Sequence, residues 1–199
     1  MQIIAGSARG VPLQTVPDND TRPILDRVKK SLFSILDAAG RLVDARVMDL
    51  YSGTGTQGLE ALSRGAVYAL FVEKRADAVK LLHANLAKTK LAEGAEVRQA
   101  DVGQTIAALD RERTARPEAF KPFDVIFHDP PFPYSREDAT RAAIEAELAL
   151  AGKLLAPEGW MILRMEKKID PPKALGLDLF RHWTDGPHAL CFYQRAQSS

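Results

Sequence analysis

From Arg46 onward the chain alternates short apolar, β-branched runs with stretches whose apolar residues recur every three or four positions. The first kind predicts strands over 45–51, 68–73, 95–99, 123–127 and 159–164. The second predicts helices over 58–63, 76–87, 103–111 and 136–155. Such alternation is the signature of a parallel sheet with helices on both faces. In the longest helical run Ala143, Leu148, Ala151, Leu154 and Leu155 form one apolar face, with Glu145 and Glu147 on the other. Pro157-Glu158-Gly159 is expected to end that helix and turn the chain into the next strand. Two further strands, over 177–183 and 189–195, flank Thr184-Asp185-Gly186-Pro187-His188, a hairpin signal that adds antiparallel strands and makes a mixed sheet of about seven. Ahead of this core, 2–6 and 11–16 bracket Ser7-Ala8-Arg9-Gly10 as a small hairpin, and 24–36 reads as a helix. The charged, proline-containing stretch 110–122 reads as a surface loop. The expected organisation is an N-terminal hairpin extension, 1–20, followed by an α/β domain, 21–199.

Composition narrows the function classes. A chain of 199 residues, 46% apolar and 27% charged, is long enough for one domain with a sizeable core. Its longest apolar runs fall far short of the roughly 20 residues of a membrane-spanning helix. The opening Met1-Gln2-Ile3-Ile4-Ala5-Gly6 lacks the basic region and long apolar stretch of a secretory signal, which points to the cytoplasm. Net charge is only +1, from 27 Lys+Arg against 26 Asp+Glu, which argues against coating nucleic acid by electrostatics alone. Any such contact needs a local patch, for which Arg9, Arg22 and Arg27 are the candidates. Cys191 lies in an apolar segment with no His or Cys at metal-ligand spacing, and is expected to be a buried structural thiol.

The first candidate for chemistry is the loop after the 45–51 run, Asp49-Leu50-Tyr51-Ser52-Gly53-Thr54-Gly55-Thr56-Gln57-Gly58. Glycines there let the backbone turn sharply and let a ligand approach closely. Gly53-x-Gly55-x-x-Gly58 matches the dinucleotide fingerprint, and Glu73 ends the next strand, where a carboxylate binds ribose hydroxyls. The pattern admits a nicotinamide dinucleotide or S-adenosylmethionine. Asp49 favours the second, because a carboxylate beside the loop suits a positive amino group and repels a pyrophosphate. Asp101, ahead of Val102, either accepts a hydrogen bond from an adenine amino group or caps a helix. The cofactor candidates are therefore Asp49, Tyr51, Gly53, Gly55, Glu73, Asp101 and Val102.

The second candidate is Asp129-Pro130-Pro131-Phe132, at the carboxyl end of the 123–127 run, where open α/β sheets bind ligands. Successive prolines fix φ twice and remove two donors, leaving a rigid platform of acceptors. A base amino group awaiting a methyl needs acceptors for its N–H bonds; the Asp129 carboxylate and Pro130 carbonyl can supply them, with Phe132 stacking on the base. A proline-rich turn beside a core phenylalanine is the alternative without chemistry.

Together these motifs resemble the class I N-methyltransferases, whose acceptor motif is Asp/Asn/Ser-Pro-Pro-aromatic. Four ordered segments narrow the resemblance to the RsmD family: Ile3-Ile4-Ala5-Gly6 with Arg9-Gly10; Thr21-Arg22-Pro23 through Asp26-Arg27-Val28 to Leu32-Phe33; Gly53-Thr54-Gly55 to Gly58-Leu59-Glu60-Ala61-Leu62-Ser63-Arg64-Gly65-Ala66; and Asp129-Pro130-Pro131-Phe132. The resemblance implies a Rossmann-like class I fold and S-adenosylmethionine as cofactor. It implies methylation of N2 of a guanine in 16S ribosomal RNA, conventionally position 966, within a partly assembled small ribosomal subunit. It places Asp49, Gly53 and Gly55 at the methionine end of the cofactor, Glu73 at the ribose and Asp101 at the adenine. Asp129, Pro130, Pro131 and Phe132 would receive the guanine, and Arg22 would lie near the cofactor pocket. Two places depart from the family pattern: Val11-Pro12 follows Arg9-Gly10 where the family is more basic, and Lys30 stands where it has Glu. The rival functions are a DNA adenine-N6 methyltransferase, a nicotinamide-dependent oxidoreductase, and a non-catalytic RNA-binding ribosome assembly factor.

Overall fold

The computed structural model describes residues 1–16, 26–131 and 138–196. They divide into two compact units, Met1–Val102 and Gly103–Ser199. In the first, α1 (Asp26–Ala38), β1 (Arg46–Leu50), α2 (Thr56–Ser63), β2 (Tyr68–Glu73), α3 (Ala76–Thr89), a 3₁₀ turn (Ala92–Gly94) and β3 (Ala95–Gln99) follow one another. Their strands run parallel in the order β3-β2-β1. β1 and β2 bury nearly every side chain, as strands covered on both faces do, which is why β2 reads as a continuous apolar run and β1 as one broken only by Asp49 after Arg46.

The second unit holds most of α4 (Val102–Ala115), then β4 (Phe123–His128), α5 (Asp138–Gly152), β5 (Leu155–Glu166), β6 (Leu177–Asp185) and β7 (His188–Arg195). Its strand order is β4-β5-β7-β6, with β4 and β5 parallel and β5, β7 and β6 antiparallel in turn. Among the described residues the strands number seven, mixed parallel and antiparallel as expected. The terminal hairpin closes through Gly186-Pro187, with Asp185 opposite His188 and Gly186 at φ +55°.

Three expectations need correction. The helix expected over 136–155 ends at Gly152, and Leu155 already belongs to β5, because the Phe123 N–H takes the Leu154 carbonyl and starts sheet pairing there. Its buried face uses Ile144 in place of Ala143, with Leu148 and Ala151 one and two turns on. Pro157-Glu158-Gly159 is therefore no helix terminator. It lies inside β5, where the register jumps from Phe123↔Leu155 to Val125↔Trp160. A Cβ on Gly159 would stand 2.9 Å from the Phe123 carbonyl oxygen, so the bulge needs glycine. The loop expected over 110–122 is shorter. α4 continues to Ala115, its charged stretch being a solvated face on which Arg113 pairs with Asp110 one turn back. At the N-terminus the expected hairpin shrinks to one bridge, Gln2↔Pro12, because the Val11 N–H turns back to the Ala8 carbonyl and the Gly10 N–H takes the Ile3 carbonyl in its place.

Cys191 is fully buried on β7, and burial pushes its thiol up to about 12. The native protein should resist a thiol-specific reagent near pH 8 and react once unfolded by denaturant. Fast labelling of the native chain, followed spectroscopically, would contradict that burial.

Candidate active site

Backbone conformation builds the candidate site of the first unit. After β1 the chain turns through Tyr51, at φ +59°, and Gly53 and Gly55, at φ +54° and +84°. A side chain at Gly55 would place its Cβ 2.2 Å from Leu82 Cδ1, and one at Gly58 would stand 2.3 Å from Phe71 Cε1. Gly55 and Gly58 thus let α2 lie close on the strands and α3. Gly53 differs. No atom comes within 4 Å of the Cβ it lacks, so its positive φ opens space in front of the loop.

Two carboxylates hold this loop. Asp49, buried in β1, accepts the Gly58 N–H at 2.8 Å and ties the start of α2 to the strand. Glu73, at the end of β2, accepts the Gly53 N–H on one oxygen at 2.9 Å and the Arg75 N–H on the other at 2.8 Å. Asp49 and Glu73 thus each fix backbone of the same glycine loop. An ionised carboxylate has about four acceptor positions, so this does not exhaust either group. Tyr51 is half-buried in the same turn, Gly55 caps α2, Asp101 is exposed directly ahead of α4, and Val102 is buried as its first residue.

The candidate site of the second unit lies where β4 ends. His128 is fully buried and its Nε2 lies 2.9 Å from Glu147 Oε2, anchoring α5 to the last residue of β4. Asp129 follows, about one-tenth exposed, and Arg164 of β5 donates from Nε to its Oδ1 at 2.6 Å. Pro130 is buried and Pro131 half-buried, and both line an open cleft with Arg141, Leu163, Arg164 and Met165 among its walls. Phe132 lies outside the described residues. Arg164 was missed in the sequence, although a cation within Met161-Ile162-Leu163-Arg164-Met165 is a signal: a charge on a central strand requires a partner.

Residues 1–14 strap onto the first unit. The Ile4 and Ala5 N–H groups donate to the two oxygens of Glu60 at 2.8 and 3.0 Å, and the Ser7 N–H donates to the Ser63 carbonyl at 2.7 Å. Lys29, fully buried, donates to the Gln2 carbonyl at 2.7 Å and pairs with Glu60 at 3.3 Å. Gln14 exchanges two hydrogen bonds with the Asn85 side chain. Of the candidates for phosphate contact, Arg9 and Arg27 are exposed, and Arg22 lies outside the described residues. Lys30 is also exposed, on α1. No helix among the described residues is long and apolar enough to cross a membrane.

A family model described as Conserved hypothetical protein 95 matches residues 1–194. Ribosomal RNA small subunit methyltransferase D of Escherichia coli K12 is 30% identical over 202 residues, covering 98% of this chain and 90% of that protein. The protein of the same name from Haemophilus influenzae is 30% identical over 177 residues, covering 82% and 86%. Among solved structures, a Thermus thermophilus protein superposes with a TM-score of 0.79 at 30% identity, covering 98% of this chain and 99% of its own. The yhhF protein of Escherichia coli does so with 0.76 at 32% identity, covering 100% and 99%. Likeness of this degree makes the architecture the Rossmann-like fold of class I methyltransferases. Matched over nearly its whole length, the chain belongs to the Conserved hypothetical protein 95 family, the RsmD family of methyltransferases.

Proposed function

We propose that the protein is an S-adenosylmethionine-dependent methyltransferase acting on the exocyclic N2 amine of a guanine in 16S ribosomal RNA. The observation that carries this reading is the Asp129-Pro130-Pro131 turn at the end of β4, its carboxylate held by Arg164 beside an open cavity. It occurs in a family whose relatives are named for methylating small-subunit ribosomal RNA.

The glycine loop fits the cofactor. Gly53 leaves space where a side chain would stand, and Glu73 retains acceptor positions for a ribose diol while its bonds to Gly53 and Arg75 hold it in place. Asp49 offers a carboxylate to an α-amino group, and Tyr51, Gly55, Asp101 and Val102 surround the remainder. When bound, S-adenosylmethionine supplies an electrophilic methyl group on a sulfonium. The protein supplies orientation. Asp129 and the Pro130 carbonyl accept the amine's N–H bonds and turn its lone pair toward the methyl, Phe132 stacks on the base, and Pro131 keeps the turn rigid. No strong base is required, because the amine becomes acidic once methylated and its proton can pass to a carboxylate or water.

The test is incubation of purified protein with S-adenosylmethionine and small-subunit particles lacking the modification, followed by nucleoside mass spectrometry. N2-methylguanosine in the 16S RNA is the expected product. Methyladenosine in DNA, or no methyl transfer to any nucleic acid, would overturn the proposal.

Glu73→Ala should weaken S-adenosylmethionine binding by about 1–3 kcal/mol in titration calorimetry, the scale of a lost charge-assisted hydrogen bond. It removes both the ribose acceptor and the anchor of Gly53. An unchanged Kd would remove Glu73 from the site.

Residues 1–20 and the arginines Arg9, Arg22 and Arg27 are proposed to contact RNA phosphates. Deleting the strap would uncover Glu60 and Lys29, so charge substitution is the cleaner probe. Arg9→Ala with Arg27→Ala should reduce the salt dependence of RNA binding by about one unit of log–log slope for each phosphate no longer neutralised. A slope equal to the parent's would make both arginines solvated surface charges.

A further inference from the structure

Arg164 belongs to no motif of the chain, yet it is one of the best-placed side chains around the acceptor turn. β4 and β5 run parallel with His128 opposite Leu163, so the next position along each strand sets Asp129 beside Arg164. Nε donates to Oδ1 at 2.6 Å, with both side chains about nine-tenths buried. A pair this dry is a poor device for stability alone. Desolvating two charges offsets most of their attraction, and a well-packed apolar residue on β5 would hold the core equally well. Nor does the pair lie in solid packing: Pro130, Pro131 and Arg164 line the same open cavity, joined at its rim by Arg141 and Asp170. A guanidinium bonded through Nε has a fixed plane, so it sets the rotation of the carboxylate about its Cβ–Cγ bond as well as its position. That rotation decides where the remaining acceptor directions of Asp129 point.

We infer that Arg164 is a positioning residue for methyl transfer: it locks the Asp129 carboxylate in the rotation that accepts the target amine. The inference rests on the proposed role of Asp129 in orienting that amine. It assigns Arg164 no contact with the reacting atoms. Its loss should therefore lower turnover through Asp129, with little effect on cofactor binding or on the affinity for RNA.

The experiment compares the parent, Arg164→Met, Arg164→Lys, Asp129→Ala and the double variant Arg164→Met/Asp129→Ala. Each is measured by thermal melting, by S-adenosylmethionine calorimetry, and by kcat and KM for labelled-methyl transfer to small-subunit particles. Arg164→Met should lose about 100-fold in kcat, the scale of a misplaced reacting group, with KM and cofactor Kd within about threefold. Arg164→Lys, which keeps the charge without the planar fork, should recover part of the loss. In the Asp129→Ala background, where no carboxylate is left to position, Arg164→Met should cost no more than about a further threefold, because the two residues act as one unit. Parent-like kcat in Arg164→Met, or effects that multiply fully in the double variant, would overturn the inference. If Arg164→Met does not fold, Arg164→Lys decides: reduced kcat at parent-like melting supports the inference, and parent-like kcat overturns it. A parent that binds the cofactor but leaves the particles unmethylated overturns the proposed function and this inference with it. An active parent with an indifferent Arg164 overturns the inference alone.

Discussion

Asp129→Ala is expected to slow single-turnover methyl transfer to small-subunit particles by about 100-fold or more, while S-adenosylmethionine affinity changes little. The reason is geometric. The amine's lone pair must lie in line with the transferring methyl, and its N–H bonds must find acceptors while it does. Alanine removes the carboxylate acceptor, whereas Asp129→Asn keeps an oxygen that can still receive the Arg164 Nε–H and should fall between the two. The same change has a structural cost. With side-chain exposures of 9% and 11%, Arg164 and Asp129 shield each other from most of the solvent, and alanine takes this carboxylate away from the guanidinium. A loss of about 2–3 kcal/mol in stability is expected, below the figure for a fully buried pair because some water reaches both groups. Urea melts therefore accompany the kinetics, and rates are compared only where each variant is fully folded. Transfer by Asp129→Ala at the parent's rate would show that the acceptor site lies elsewhere.

The largest effect on stability is expected at Glu60. Its carboxylate is fully buried and takes four donors: the Ile4 and Ala5 N–H groups at 2.8 and 3.0 Å, Arg64 Nε at 2.8 Å and Lys29 Nζ at 3.3 Å. Arg64 in turn pairs with Asp37 and lies over the Phe33 ring, so α1, α2 and the N-terminal strap meet at one anion. Glu60→Ala should cost about 3–5 kcal/mol, since it leaves a buried ammonium and two backbone donors without their acceptor. The pH dependence follows from Lys29. Burial, only partly opposed by Glu60, lowers its pKa from the usual 10.5, so the folded protein releases that proton before the unfolded chain does. Between the two pKa values the unfolded chain holds more protons, and stability from this group rises with pH. Without Glu60 the lysine is lowered further and that window opens at lower pH. The deficit of Glu60→Ala against the parent should therefore shrink in urea melts as pH rises toward the unfolded lysine's 10.5. A deficit independent of pH would mean that Lys29 does not sense Glu60.

Which parts of this molecule were legible in its sequence follows from the range of the interactions involved. β2 matches its expected bounds because burial along the strand imprints a continuous apolar run that only Glu73 closes. The glycine loop and the Asp129-Pro130-Pro131 turn were legible for a related reason. Positive φ demands glycine, proline fixes its own backbone, and both constraints are satisfied within a few residues. Helix ends were less legible. Nothing local distinguishes Gly152 from Pro157 as the terminus of α5; the Phe123 N–H, arriving from another strand to take the Leu154 carbonyl, makes the choice.

The sequence by itself determined the alternation of strands and helices, the conformation of the two functional turns and the identity of the groups they carry, because each depends on steric or packing demands that adjacent residues express. Only the tertiary structure decided what those groups are bonded to. Glu73 reaches back 20 residues to hold Gly53, Arg164 reaches back 35 to hold Asp129, and Glu60 gathers Ile4 and Ala5 from 56 and 55 residues away. A buried charge announces that it needs a partner, but the partner is chosen by strand register and helix packing, which bring distant positions within about 3 Å and leave no trace in local periodicity.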